Sequence, residues 1–123
     1  MQKSFMPDFQ SENALADFQT AGLQWTVHHA DQGSSFYRMK WAEAGVKPDH
    51  IQRLEDIRKL PFTTADDLKE GYPFPLLSVP LEEVIRIHAS SGTTGKRKVL
   101  CYTAKDIEDW KDMFARCYEM AGL

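Results

Sequence analysis

Only two stretches of this chain read as β-strand: VIRIHA at Val84–Ala89 and VLCY at 99–102. All other periodic sequence reads as helix. That imbalance constrains the fold more than any other feature, because a lone two-stranded hairpin is marginal in water and needs cover from something larger. The expected fold is therefore α/β but mostly helical, with a short β-hairpin laid against the helices.

About five helical pieces can be placed. Ser11 is an N-cap residue for a helix running to about residue 29, with Leu15, Phe18 and Trp25 on one stripe and Gly22 a weak point inside it. Residues 31–35, DQGSS, break that helix. A second helix spans 36–44 and ends at Gly45, a C-cap type residue. Lys47-Pro48-Asp49 opens a third piece with Ile51, Leu54 and Ile57 on one side, and Pro61 stops it near Leu60. Thr64 and Asp67 resemble a capping box with Asp in place of Glu or Gln, which predicts a short helix to about Glu70. Three prolines within 71–80 make an irregular connection.

After the second strand, Thr103 is placed to cap a final helix, with Asp106 three residues on. Asp106, Glu108 and Asp109 put negative charge near the positive end of its dipole. Ile107, Trp110, Phe114, Cys117 and Ala121 form one apolar stripe, and Gly122 is placed to end the helix. The stripe needs a cover that two strands do not supply, and the chain stops one residue after Gly122. That pattern predicts the front part of a larger α/β protein. Produced alone, the chain is expected to self-associate as a homo-oligomer through this stripe; a monomer by light scattering at high concentration would contradict that.

The bulk numbers exclude several classes. A chain of 123 residues suffices for one domain with one core. Apolar residues make up 42% and charged residues 27%, ordinary values for a globular protein. A net charge of −3 and a pI of about 5.8 oppose binding to nucleic acid or to an anionic membrane, whose ligands call for a basic footprint. The Lys96-Arg97-Lys98 run is too short for a polybasic patch. Two cysteines, Cys101 and Cys117, make no disulfide framework, and no Cys or His spacing reads as a metal site. His28 and His29 are adjacent and diverge on a helix, while His50 and His88 stand alone. The first residues, MQKSFMPDFQ, contain no apolar export segment, and no apolar run approaches the roughly 20 residues of a membrane span. A cytoplasmic location is expected.

The chemistry concentrates within HASSGTTGKRKVLCYT at 88–103, in its nine-residue connection SSGTTGKRK at 90–98 between the strands. A hairpin turn needs about two to five residues. This connection is longer and carries four hydroxyls, two glycines and three cations. Glycines let a backbone approach an anion and adopt positive φ, and successive amides in such a loop can form a concave anion nest. Hydroxyls and a mobile lysine add donors, so the composition suits a phosphate chain. The Walker A pattern fails: Ser90 stands where its first glycine belongs, Arg97 replaces its Ser or Thr, and a strand follows instead of a helix. The dinucleotide pattern fails too, since only Gly92 and Gly95 are present. No kinase-type glycine loop exists.

S-S-G-T-T-G-K between two strands resembles the phosphate loop of the adenylate-forming (AMP-binding) superfamily, and most closely that of the phenylacetate–CoA ligases. Four stretches carry the resemblance: SSFYRMKWAEAGV at 34–46, LEDIRKLPFTTADDL at 54–68, YPFPLL at 72–77 and EVIRIHASSGTTGKRKVLCYT at 83–103. RIHASSGTTGK is the most specific of them. The resemblance implies that residues 1–123 are the N-terminal portion of an adenylate-forming domain, the rest of that domain and a C-terminal domain lying beyond Leu123. It implies an AMP-forming aryl-acid CoA ligase that uses ATP with Mg2+ and coenzyme A on a phenylacetate-like aromatic acid. It further implies that Ser90, Ser91, Gly92, Thr93, Thr94, Gly95 and Lys96 hold the β,γ-phosphates of ATP. No catalytic residue and no metal ligand can be assigned within this chain, so alone it is expected to be inactive. Many family members place proline after the lysine; here Arg97 and Lys98 follow and are expected to face water. The competing reading is a stand-alone, non-catalytic remnant that binds a nucleotide or a partner.

The remaining candidates read as structural. Val84, Arg86 and His88 share a strand face, and His88 is expected to be a hydrogen-bonded structural histidine rather than a nucleotide contact. Tyr37 and Arg38 are expected to anchor their short helix against the loop that follows. Trp25, Trp41 and Trp110 read as core or interface. Cys101 reads as a buried, inert thiol, since no base lies near it in the sequence.

Overall fold

The computed structural model of this protein describes residues 11–91, 95 and 97–123. Helix α1 spans Glu12–Gly33 and begins where expected: the Ser11 hydroxyl oxygen accepts from the Ala14 amide at 3.2 Å. It runs one turn further than the DQGSS break suggests. Arg38 accounts for the extension by donating to the Asp31 and Gln32 carbonyls at 3.0 Å each, which satisfies the last turn. The break shrinks to Ser34, whose amide bonds Ala30 and whose hydroxyl accepts from the Tyr37 amide. Ser34 thus ends α1 and starts α2, Ser35–Glu43. Gly45, at φ +68°, then turns the chain back so that the Val46 amide bonds the Trp41 carbonyl.

The core sits between these two helices and the segment that follows. Val27, Ala30, Trp41 and Ile51 are its buried apolar residues, with Leu23, Tyr37, Val46 and Leu60 packed around them. The expected third helix is instead two 3-10 turns, Pro48–His50 and Leu54–Lys59. The buried Asp56 is the cause. Its carboxylate takes the Gln52 and Arg53 amides at 2.9 and 3.1 Å and the Lys59 ammonium at 2.9 Å. Amides committed to a side chain no longer extend a helix. The expected one-sided stripe therefore splits: Ile51 is 1% exposed and Ile57 is 52% exposed.

Thr64 and Asp67 form the reciprocal pair that their spacing predicts, at 2.6 and 3.4 Å, ahead of α3, Asp67–Glu70. Asp67 also holds Lys40 of α2 at 2.6 Å. Residues 71–80 are irregular, as expected, and a 3-10 turn at Leu81–Glu83 leads into the sheet.

β1, Val84–Ala89, pairs antiparallel with β2, Val99–Thr103. The register breaks between Val84 and Arg86, so Val84 does not keep the face shared by Arg86 and His88. β2 passes directly into α4, Ala104–Met120. The Thr103 hydroxyl accepts from the Asp106 amide at 3.3 Å, and Asp106 accepts from the Thr103 amide at 2.7 Å. The helix crosses the hairpin, and its Trp110 ring meets Tyr102 and His88 at 5.5 and 5.6 Å. The hairpin covers only part of the stripe: no described residue of α4 is buried, and Phe114 is 46% exposed. Among the described residues, no helix is long and apolar enough to cross a membrane.

Candidate phosphate loop

The ladder's last pair is Ala89 with Val99. One step further out, the Ser90 amide donates to the Lys98 carbonyl at 3.0 Å. The Lys98 amide donates back to the Ser90 hydroxyl oxygen, also at 3.0 Å. These two bonds draw the ends of the 91–97 connection together into a neck. Beyond it Ser91 and Gly95 are exposed, and Gly95 has φ +125°, a conformation that side-chain-bearing residues rarely adopt. Arg97 and Lys98 are both exposed, as expected of cations at the exit of the loop. Of the seven residues read as phosphate contacts, Ser90, Ser91 and Gly95 are thus placed at the mouth. Gly92, Thr93, Thr94 and Lys96 lie outside the described residues.

Lys69, hydrogen-bonded at 2.9 Å, holds the Asp66 carboxyl below the usual carboxylate range, and Lys98 adds to the effect. Asp67 is lowered likewise, first by Lys40 and then by the Thr64 amide.

His88 packs as a ring among rings, 4.9 Å from Tyr102 and near Trp110. These contacts are aromatic, whereas the sequence reading expects a hydrogen bond. Arg86 shares its face and lines a cavity of about 210 Å3 with Ile107, Trp110 and Phe114. Cys101, half-buried, has its thiol pushed up by burial, which fits an inert group. It lines a second cavity of about 210 Å3 with His29, Phe74 and Leu77.

Arg38 clips α2 to the helix before it, not to the loop after it, because its guanidinium finds the open carbonyls of α1. Trp41 is core, whereas Trp25 stacks on His29 at 4.8 Å and stays largely exposed. His28 Nε2 lies 3.7 Å from Asp49, and His50 Nδ1 accepts from the Lys47 amide. No three His, Cys, Asp or Glu side chains converge among the described residues. Sequence reading missed Ser34, Asp56 and the Lys40–Asp67 pair. Only Ser34 carries a local signal, a serine just before a helical segment.

No protein-family model matches the chain. It is 48% identical over 112 residues to the phenylacetate-coenzyme A ligase of Escherichia coli (strain K12), an overlap of 91% of this chain and 26% of that protein. The Pseudomonas putida phenylacetate-coenzyme A ligase is 46% identical over the same shares. That of Thermus thermophilus is 40% identical over 120 residues, 96% of this chain and 27% of the relative. The chain thus spans about a quarter of the length of the curated relatives it matches. Among solved structures, 2-hydroxyisobutyryl-CoA ligase in complex with 2-HIB-AMP and CoA superposes with a TM-score of 0.70 at 26% identity, over 86% of this chain and 26% of that one.

Proposed function

We propose that this chain, related to the phenylacetate–CoA ligases across nearly all of its length, is the part of an AMP-forming aryl-acid–CoA ligase that grips the ATP phosphates. The carrying observation is the hairpin neck: a seven-residue, glycine-containing connection whose ends are pinned at Ser90 and Lys98, with Gly95 at positive φ inside it. Such a loop can turn successive amides toward one anion. In this reading Ser90, Ser91, Gly92, Thr93, Thr94, Gly95 and Lys96 surround the β,γ-phosphates. The acid's carboxylate attacks the α-phosphate, pyrophosphate leaves, and the thiol of coenzyme A displaces AMP from the acyl-adenylate. Mg2+ would arrive on the triphosphate, since the ion is commonly held by substrate phosphates and one or two carboxylates rather than by an all-protein cage.

Residues 1–123 then form one portion of an adenylate-forming domain. The acid and the adenosine must be held by the rest of the ligase, so this portion alone is inactive. The open α4 face around Phe114 would be covered by that remainder, or by a second copy when these residues are produced alone. The test is product formation. The protein expressed over its full reading frame, given ATP, Mg2+, coenzyme A and phenylacetate, should yield phenylacetyl-CoA, AMP and pyrophosphate by chromatography. ADP and inorganic phosphate in place of AMP and pyrophosphate would overturn the reading.

A further inference from the structure

We propose that Ser90 is a positioning residue of the phosphate loop, acting on a bound phosphate chain through the backbone it pins. The inference rests on the phosphate-loop reading above and deepens it.

In a regular antiparallel ladder, facing residues of a hydrogen-bonded pair exchange two backbone bonds. Ser90 and Lys98 keep only one of that kind, from the Ser90 amide to the Lys98 carbonyl. The return bond, from the Lys98 amide, ends on the Ser90 hydroxyl oxygen at 3.0 Å. The side chain has taken the place of a backbone carbonyl, a competition to which short hydroxyl side chains are suited. Two consequences follow. The ladder stops at Ala89–Val99, so the chain leaves the sheet as a loop instead of continuing as a strand. The two ends of that loop also stay pinned, which removes much of the freedom that a phosphate would otherwise have to freeze out on binding. The hydroxyl accepts from the Lys98 amide, which ties Ser90 into the neck although both Ser90 and its neighbour Ser91 are exposed. Serine at the first position is thus explained by the neck itself.

The test compares Ser90→Ala with Ser90→Thr in the protein expressed over its full reading frame, with circular dichroism confirming equal helix content. Two quantities are read: hydrogen–deuterium exchange of the Lys98 amide without ligand, and affinity for inorganic tripolyphosphate. In Ser90→Ala the Lys98 amide should exchange about tenfold faster, as expected for one lost hydrogen bond. Tripolyphosphate should bind several-fold more weakly. Ser90→Thr should restore both. Wild-type exchange in Ser90→Ala would overturn the proposal, a fall in affinity then meaning direct contact. Faster exchange with unchanged affinity would also overturn it, leaving Ser90 a purely structural residue. A wild-type protein that ignores tripolyphosphate would sink the phosphate-loop reading itself, an outcome told apart from the others because the exchange arm needs no ligand.

Discussion

Gly33 occupies the last turn of α1, where alanine would ordinarily be the better helix former by about 1 kcal/mol. A Cβ there would overlap the Ser78 carbonyl of the irregular 71–80 segment. Close approach outweighs propensity, so Gly33→Ala should destabilise by about 1–3 kcal/mol, the cost of overpacking. A denaturation curve showing a gain would contradict that packing. Asp56 carries a second prediction. Its carboxyl is lowered to about 2, first by Lys59 and then by the Gln52 amide. A carboxyl depressed in the folded state contributes stability that is complete above its ordinary range and lost as pH falls from about 4 toward 2. Asp56→Asn should therefore melt lower than wild type at neutral pH, and the gap should close as pH falls through that window. A gap that stays constant would assign the loss to shape instead of charge. Gly33 was visible in the sequence as a break but not as a contact, because its partner lies some forty-five residues away. Asp56 was hidden because a buried carboxylate and a surface one look alike until their partners are known.

At the scale of elements, Thr103 joins two of them: it is the last residue of β2 and the cap of α4. Losing its hydroxyl in Thr103→Ala should cost about 1 kcal/mol. Because strand and helix meet without a linker, the loss should loosen the Lys98–Tyr102 amides as well as the first turn of α4. Faster exchange confined to the helix would mean that the two elements are independent. This junction was legible in full, since Thr103 and Asp106 decide it locally. The same holds for Ser11 and for the Thr64–Asp67 pair. The piece at 48–60 was misread as one helix because its apolar spacing fits a helix, while Asp56 withdraws the amides that would complete it. The register break at Ile85 was likewise invisible, since nothing in VIRIHA marks an extra residue.

At the scale of the molecule, four buried apolar side chains hold α1, α2 and the 3-10 turns together, while the hairpin and α4 form a second layer with rings such as Phe114 still open. Among the described residues the sheet has two strands and part of the α4 face is open, and the chain spans about a quarter of the length of the curated relatives it matches. The loop motif was the most legible part of the candidate site, and its neck the least, because the Ser90–Lys98 bond depends on how the hairpin closes. The proposed task of this loop is to grip the ATP phosphates. The direct measurement is carboxylate-dependent exchange of pyrophosphate into ATP by the protein over its full reading frame, compared with Lys96→Ala and Thr93→Ala. Both variants should keep the fold and lose exchange by about a hundredfold, the scale of removing one donor from a developing anion. Unchanged exchange in both would make the loop a structural connection and contradict the account.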